Sequence, residues 1–221
     1  IIHKMIKKDL KVAVLGAGAM GCLFGSLLAE KGLDVVLIDV WKEHVDAINK
    51  KGLKMDGYGG DRFIKIKATV DPKTLDKVDA IIIMCKATAL EQALTNSKNI
   101  VGDNTVLMSF QNGIGHEAIM QKIAGKEKVL GGTTTQAANI IGPGNIKNHA
   151  SLPSWIGEYE GGMSDRVNDV AETFTAYGFD VSSYYKREPD SKKPECSWIF
   201  DGVGENEVIG DFGLVGGGAA G

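Results

Sequence analysis

The sequence predicts an α/β protein with a doubly wound, mostly parallel β-sheet. Three observations favour this fold class: short apolar runs alternate with segments of helical periodicity, a glycine-rich loop joins the first strand to the first helix, and residues 79–85 form a continuous apolar run. Such a run is typical of a central parallel strand that is covered on both faces. An added β segment, a hairpin over 53–70, is expected after the second helix.

The glycine-rich loop lies between the strand predicted over 11–15 and the helix predicted over 19–31, which should end at Gly32. Its G-x-G-x-x-G spacing is that of a dinucleotide-binding loop. We expect Gly16 to permit a tight turn, Gly18 to leave room for a pyrophosphate, and Gly21 to let the helix pack closely. Free N–H groups at the helix start would face the phosphates. The candidate cofactor-binding residues here are Gly16, Ala17, Gly18, Ala19, Met20 and Gly21.

Asp39 ends the second predicted strand, 35–38, eighteen residues after Gly21. A βαβ unit places at this position the carboxylate that binds the ribose hydroxyls of NAD(H). Because a carboxylate repels a 2′-phosphate, Asp39 favours NAD(H) over NADP(H). The alternative is that Asp39 only caps the helix predicted over 41–51.

Two further polar side chains follow predicted strands at their carboxyl ends, where open α/β sheets bind ligands. Lys86 follows the strand at 79–85, and Asn112 follows the strand at 105–110. The amide of Asn112 can both donate and accept hydrogen bonds beside a nicotinamide. The plainer alternatives are an exposed lysine before the helix at 88–97 and an Asn-Gly turn.

The rest of the chain to residue 184 predicts further alternating helices and strands. We expect Cys85 in the core and His116 and His149 on the surface. No metal-ligand or nucleophile pattern surrounds His116. Gly131 and Gly132 indicate a close backbone approach. The further expected elements are a helix from 116 to near 123, a strand over 129–141, a turn at 142–145, strands at 145–150 and 155–158, a helix at 165–177 ended by Gly178, and a strand at 180–184.

Composition and charge narrow the classes of function. A net charge of −3 without a basic cluster argues against nucleic-acid binding, and no apolar run reaches the roughly 18 residues of a membrane span. Three cysteines without a C-x-x-C pair indicate a reducing compartment and no disulfide framework. The opening residues lack a signal-peptide pattern, and Met5 is a candidate natural start. We therefore expect a cytoplasmic protein that acts on a small molecule.

The assembled motifs resemble the ketopantoate reductase family, which comprises 2-dehydropantoate 2-reductases and related D-2-hydroxyacid dehydrogenases, over about residues 10–185. The resemblance implies a Rossmann-type domain in which NAD(P)H reduces the C2 carbonyl of a small 2-oxo acid, for example ketopantoate on the route to pantothenate. It also implies that Lys86 and Asn112 contact cofactor and substrate, and that Ala138 lies beside the cofactor through its backbone. The matching positions are the loop at 16–21, Asp39, Trp41, His44, 85–87, 111–115, 132–138 and 156–158.

The sequence departs from this family after Tyr185. The family's proton donor is a lysine in a K-L-x-x-N-x-x-x-N helix that begins an all-helical domain, and Lys192 and Lys193 lack the leucine and asparagines that follow it. We therefore expect a dinucleotide-binding domain over 1–185 and an unmatched, glycine-rich tail over 186–221, with no catalytic residue assigned. Much of the family uses NADP(H) and has a basic residue after the second strand, where this chain has Asp39 with Lys42 nearby.

Two functional hypotheses follow. The first is a 2-oxo acid reductase, weakly active or inactive without the helical domain, and the second is a stand-alone NAD(H)-binding module without catalysis. A hydroxyacyl-CoA or β-hydroxyacid dehydrogenase would share the loop and the acid but would not explain Asn112-Gly113 and the Thr-Thr-Thr-Gln-Ala-Ala strand. A homodimer is also allowed, because loss of the helical domain would expose apolar surface.

Overall fold

The computed structural model describes residues 10–111, 115–159 and 164–183. Within these ranges twelve strands form two sheets. The strands are β1 (Lys11–Leu15), β2 (Asp34–Ile38), β3 (Leu53–Gly57), β4 (Arg62–Ile64), β5 (Lys67–Thr69), β6 (Val78–Ile83), β7 (Val101–Ser109), β8 (Val129–Thr134), β9 (Ala138–Gly142), β10 (Asn145–Asn148), β11 (Ser154–Glu158) and β12 (Val181–Ser183). The α-helices are α1 (Ala19–Glu30), α2 (Lys42–Lys51), α3 (Leu90–Asn96), α4 (His116–Ala124) and α5 (Asp165–Ala176).

The larger sheet has eight strands in the order β12-β11-β8-β7-β6-β1-β2-β5. The six strands from β8 to β5 run parallel, and β11 pairs antiparallel with β8. The chain adds β2 and β5 on one side of β1, and β6, β7 and β8 on the other. This is the Rossmann-type order, with its reversal between β1 and β6. The predicted fold class is confirmed.

The smaller sheet has four strands in the order β4-β3-β10-β9, and it packs on α1. It corrects two predictions. The hairpin expected over 53–70 comprises only β3 and β4, whereas β5 joins β2 in the larger sheet. Asn49 holds β5 there by hydrogen bonds to both backbone groups of Ala68, at 2.8 and 2.9 Å.

The single strand expected over 129–141 is two strands, β8 and β9, which lie in different sheets. Hydrogen bonds from the Thr135 N–H to the Pro153 carbonyl and from the Gln136 N–H to Thr134 Oγ1, at 3.3 and 3.1 Å, turn the chain between them. The close approach expected at Gly132 is confirmed, since a Cβ there would lie 2.8 Å from the ring of Phe110.

Apolar side chains cover the larger sheet on both faces, as the continuous apolar runs predict. Val12 and Val14 of β1 belong to one buried cluster, together with Phe24 of α1, and Ala13 and Leu15 belong to the other. Gly32 directly follows the C-cap residue of α1, as predicted, and the Gly32 and Leu33 N–H groups donate to the carbonyls of Ala29 and Leu28. None of the helices described is long and apolar enough to span a bilayer.

Three single-residue predictions have different outcomes. His149 is exposed, as expected. The prediction for His116 is wrong, because its side chain is buried at the start of α4. Cys85 is half-buried rather than in the core, because it lies just past the end of β6. The predicted tail at 186–221 lies outside the described residues.

Candidate functional site

The carboxyl ends of four neighbouring strands meet at one edge of the larger sheet. Leu15 at the end of β1 pairs in register with Ile38 of β2 and Ile83 of β6, and Ile83 pairs with Ser109 of β7. The glycine-rich loop begins there, since the Gly16 N–H donates to the Ile38 carbonyl at 2.8 Å. The loop therefore lies where the strand order reverses, the usual ligand position in this fold class.

The three spaced glycines of the loop have different environments. Gly16 has a φ of +100°, and a Cβ there would lie 2.4 Å from the backbone nitrogen of Cys85. A Cβ on Gly21 would lie 1.9 Å from the Gly16 carbonyl oxygen, so glycine lets α1 pack against the loop. By contrast, a Cβ on Gly18 would meet no atom within 4 Å. The fold requires two of these glycines, and the third faces open space.

The N-terminus of α1 adjoins that open space. Gly18 is the N-cap residue, no side chain caps the helix, and its first turn contains no acidic residue. The Cys22 N–H donates to the Gly18 carbonyl at 2.9 Å, and the N–H groups that precede it have no partner within the helix. This end of α1 therefore offers free donors and a positive dipole to an anion.

Asp39 connects the loop to the segment between β2 and α2. Its Oδ2 accepts a hydrogen bond from the Ala17 N–H at 2.7 Å, and its Oδ1 accepts one from the Trp41 N–H at 2.9 Å. The N-cap residue of α2 is Trp41, so Asp39 is not the helix cap proposed as the alternative. Each carboxylate oxygen keeps a further lone pair, and the side chain is only partly buried.

The basic residue nearest to Asp39 in sequence is already paired. Lys42 Nζ lies 2.6 Å from Asp46 Oδ2, one turn further along α2, and both side chains are largely exposed. An exposed pair of this kind is weak, so it fixes the position of the Lys42 ammonium only loosely.

Cys85 and Lys86 follow β6 at the same edge as the loop. Burial raises the pKa of the Cys85 thiol, and the Cys85 carbonyl accepts a hydrogen bond from Gln111 Nε2. Gln111 thereby ties the end of β6 to the end of β7, a contact that the sequence pattern did not reveal. The side chain of Lys86 is exposed and makes no ion pair with the described part of the chain.

Two further predicted site residues are Asn112 and Ala138. Asn112 lies outside the described residues. Ala138 begins β9 in the smaller sheet, where it is half-buried and packs against the core cluster that includes Phe24 of α1.

Two buried residues beside the loop received no role from the sequence pattern. They are Cys22 on α1, whose thiol donates to the Ala17 carbonyl at 3.2 Å, and His44 on α2, which lies 3.3 Å from the Cys22 sulfur. The sequence indicates His44 only through the family resemblance. Its spacing from Ile48, four residues further on, places it on the buried face of α2 and is the signal that could have singled it out.

The family profile described as ketopantoate reductase PanE/ApbA matches residues 12–161 of this sequence. The chain belongs to the ketopantoate reductase family. It is 39% identical over 172 residues to the 2-dehydropantoate 2-reductase of Pyrococcus horikoshii, a match that covers 78% of this chain and 55% of that protein. It is 40% identical over 206 residues to the 2-dehydropantoate 2-reductase of Pyrococcus abyssi, a match that covers 93% of this chain and 64% of that protein.

Solved structures of similar proteins share the fold. The ternary structure of D-mandelate dehydrogenase with NADH and anilino(oxo)acetate superposes with a TM-score of 0.75 at 32% identity, covering 79% of this chain and 57% of that one. The 2-dehydropantoate 2-reductase from Geobacter metallireducens GS-15 gives a TM-score of 0.73 at 26% identity, covering 79% and 58%. The chain thus spans a little over half the length of most of these relatives.

Proposed function

We propose that this chain binds NAD(P)H at residues 16–21 and Asp39, as the nucleotide-binding part of a reductase of small 2-oxo acids, foremost 2-dehydropantoate. The observation that carries the proposal is the contrast among the glycines. Gly16 and Gly21 are required by close backbone contacts, while Gly18 faces open space at the uncapped N-terminus of α1. Close packing around an unfilled, donor-rich space is what a pyrophosphate site needs.

The chemistry of the remaining donors fits the same cofactor. The free lone pairs of Asp39 suit ribose hydroxyls, and Lys86 offers an exposed cation at the same sheet edge for a phosphate or a substrate carboxylate. Asn112 and Ala138 retain their proposed roles from the resemblance, as substrate and cofactor contacts. The reduced nicotinamide supplies the hydride, and the protein must orient the 2-oxo acid and exclude water from it.

We further propose that NAD(H) is preferred over NADP(H). A 2′-phosphate beside Asp39 would meet the Asp39 carboxylate, and two negative charges repel each other. The two D-mandelate dehydrogenase structures are complexes with NADH, which is consistent with this preference.

Turnover also requires a proton for the alkoxide that forms at C2. The resemblance assigns that proton to a lysine in a K-L-x-x-N-x-x-x-N helix, which this sequence does not contain. We therefore propose that the 221-residue chain binds the cofactor but reduces 2-dehydropantoate slowly or not at all. A binding module without catalysis is the second candidate, and a cytoplasmic location and a homodimer remain predictions.

Fluorescence titration with NADH tests the proposed site through Gly18→Ala. The added methyl group meets no protein atom, so stability should change by less than about 1 kcal/mol, whereas NADH affinity should fall at least about tenfold because the methyl occupies the phosphate space. Gly102→Ala is the matched control, since Gly102 lies at the opposite end of β7 and a Cβ there makes only ordinary contacts. Equal NADH affinity in both variants would contradict the proposal.

A further inference from the structure

A buried chain of hydrogen bonds connects the smaller sheet to the glycine-rich loop. The Gly144 N–H, in the turn between β9 and β10, donates to His44 Nδ1 at 3.0 Å. His44 Nε2 lies 3.3 Å from Cys22 Sγ, and Cys22 Sγ donates to the Ala17 carbonyl at 3.2 Å. The side chains of His44 and Cys22 are fully buried, and Ala17 is 1% exposed.

One arrangement of protons satisfies every group in this chain. His44 Nδ1 accepts a hydrogen bond, so the neutral imidazole carries its proton on Nε2 and donates it to the Cys22 sulfur. The thiol then donates its own hydrogen to the Ala17 carbonyl. Burial lowers the pKa of His44, in spite of the opposing effects of Asp39 and the Ala17 backbone, and burial raises the pKa of the Cys22 thiol. Both side chains are therefore neutral, as the hydrogen bonds require.

The Ala17 carbonyl belongs to the same peptide unit as the Gly18 N–H. In a trans peptide these two groups point in opposite directions, and the chain contains no cis peptide bond among the described residues. Because the carbonyl is directed inward at Cys22, the Gly18 N–H is directed outward, toward the open space at the start of α1. The Asp39 carboxylate holds the preceding peptide unit through the Ala17 N–H.

We propose that His44 is a positioning residue which, through Cys22, orients the Gly18 N–H toward the pyrophosphate of the dinucleotide. The inference rests on the proposed function only in that the anion is a dinucleotide pyrophosphate. The ring of His44 is held by the Gly144 turn at one nitrogen and by the stacked indole of Trp41, whose ring centroid lies 4.9 Å away. The smaller sheet thereby supports the loop that binds the cofactor.

Two pairs of substitutions separate the contacts of this chain. His44→Asn can still accept from the Gly144 N–H but does not reach Cys22, whereas His44→Gln can reach Cys22 but loses the acceptor at Nδ1. Cys22→Ala removes the donor to the Ala17 carbonyl, and Cys22→Ser restores it with a hydroxyl. Val45→Ala is the control for packing loss, because Val45 is buried on the same helix and makes none of these hydrogen bonds.

The readout is the ratio of the affinities for ADP-ribose, which contains the pyrophosphate, and for adenosine, which lacks it. Loss of one oriented donor to a phosphate should weaken ADP-ribose binding about tenfold in His44→Asn and Cys22→Ala and leave adenosine binding unchanged. Cys22→Ser and Val45→Ala should retain the ratio of the unsubstituted chain. His44→Asn combined with Cys22→Ala should weaken ADP-ribose binding no more than either change alone, because both act on one peptide unit.

These measurements distinguish failure of the positioning role of His44 from failure of the proposed function. If the unsubstituted chain binds NADH and ADP-ribose but His44→Asn and Cys22→Ala weaken both ADP-ribose and adenosine equally, or neither, the positioning role is overturned and the proposed function stands. If the unsubstituted chain binds no NADH, ADP-ribose or adenosine, the proposed function itself fails. The ¹⁵N chemical shifts of the His44 ring add an independent check, since protonation at Nδ1 in the folded protein would overturn the hydrogen-bond chain.

Discussion

At the scale of single residues, the glycines of the loop differ in whether the fold itself requires a glycine at their position. Gly21 and Gly18 are both glycines of one motif, yet only Gly21 is enclosed by backbone. The spacing of the motif predicts this difference, since it reserves Gly18 for a close ligand and Gly21 for close packing of the helix. The structure adds the size of the constraint, because a Cβ on Gly21 would lie 1.9 Å from the Gly16 carbonyl oxygen.

Gly21→Ala should destabilise the protein by about 3 kcal/mol or more, because a methyl group 1.9 Å from the Gly16 carbonyl oxygen forces α1 away from the loop. Urea denaturation measures this change, with Gly18→Ala as the comparison. A loss below about 1 kcal/mol for Gly21→Ala would mean that the helix is not packed against the loop as described.

Asp39→Asn should reduce NADH affinity about tenfold and raise NADPH affinity. It replaces the carboxylate that would accept hydrogen bonds from the ribose hydroxyls, and it removes the negative charge that would repel a 2′-phosphate. Titrations of both cofactors measure the change in preference. Asp103→Asn makes the same change of charge near the opposite end of β7, roughly 20 Å from Ser109 at about 3.3 Å per residue, and should alter neither affinity. An unchanged NADH-to-NADPH ratio in Asp39→Asn would exclude a ribose contact for Asp39.

His44 should make stability depend on pH. Its pKa is lowered by burial in the folded protein, with Asp39 and Cys22 as the titratable groups that face it, whereas the unfolded chain titrates near the ordinary value of about 6.5. Below that pH the unfolded state binds more protons, so this contribution to stability is present above about pH 6.5 and is lost as the pH falls. As the pH falls from 7.5 to 5.5, the melting temperature of the unsubstituted chain should approach that of His44→Asn. A constant difference would contradict a neutral, buried His44.

At the scale of elements, Arg166 joins α5 to the larger sheet. Its guanidinium hydrogen-bonds to both carboxylate oxygens of Glu158, at the end of β11, and to the Val129 carbonyl of β8. Burial alone would raise the pKa of Glu158, but Arg166 and the Ser164 hydroxyl outweigh it and hold the pKa below its ordinary value. Both side chains of the pair are more than four-fifths buried.

Arg166→Met should therefore cost about 3 kcal/mol of stability, because it leaves the Glu158 carboxylate buried without its partner. Lys42→Met is the matched control: it breaks the exposed pair with Asp46 and should cost no more than about 0.5 kcal/mol. Equal losses in the two variants, measured by urea denaturation, would contradict the structural role assigned to the buried pair.

The central elements of the larger sheet could be predicted because their signals are local. β1, β2 and β6 are apolar runs bounded by glycine or charge, and the end of α1 is marked by Gly32. The division of 129–141 into β8 and β9 could not be predicted, because small and β-branched residues continue through it without a turn signal. The acceptors of the hydrogen bonds that turn the chain are the hydroxyl of Thr134 and the carbonyl of Pro153, which is distant in sequence.

The candidate site was predictable in part for the same reason. The loop and Asp39 follow from spacing within one βαβ unit, whereas the buried position of His116 and the contacts of His44 depend on packing between elements that are far apart in sequence. His44 and Gly144, for example, are separated by 100 residues. No periodicity in the sequence places such residues next to each other.

At the scale of the whole molecule, the chain combines a Rossmann-type sheet with a smaller sheet that packs on α1, the helix that follows the glycine-rich loop. The family assignment and the fold are shown by its relatives, of whose length it spans 55% and 64% in the two Pyrococcus proteins. The loop, Asp39 and the His44 network lie within the described residues. The cofactor preference is therefore testable on this chain alone.

The most direct test is a side-by-side fluorescence titration of the 221-residue chain with NADH and NADPH. We expect saturable binding of NADH, at least about tenfold tighter than that of NADPH, because the 2′-phosphate would meet the Asp39 carboxylate. Failure to bind either dinucleotide, or tighter binding of NADPH, would contradict it.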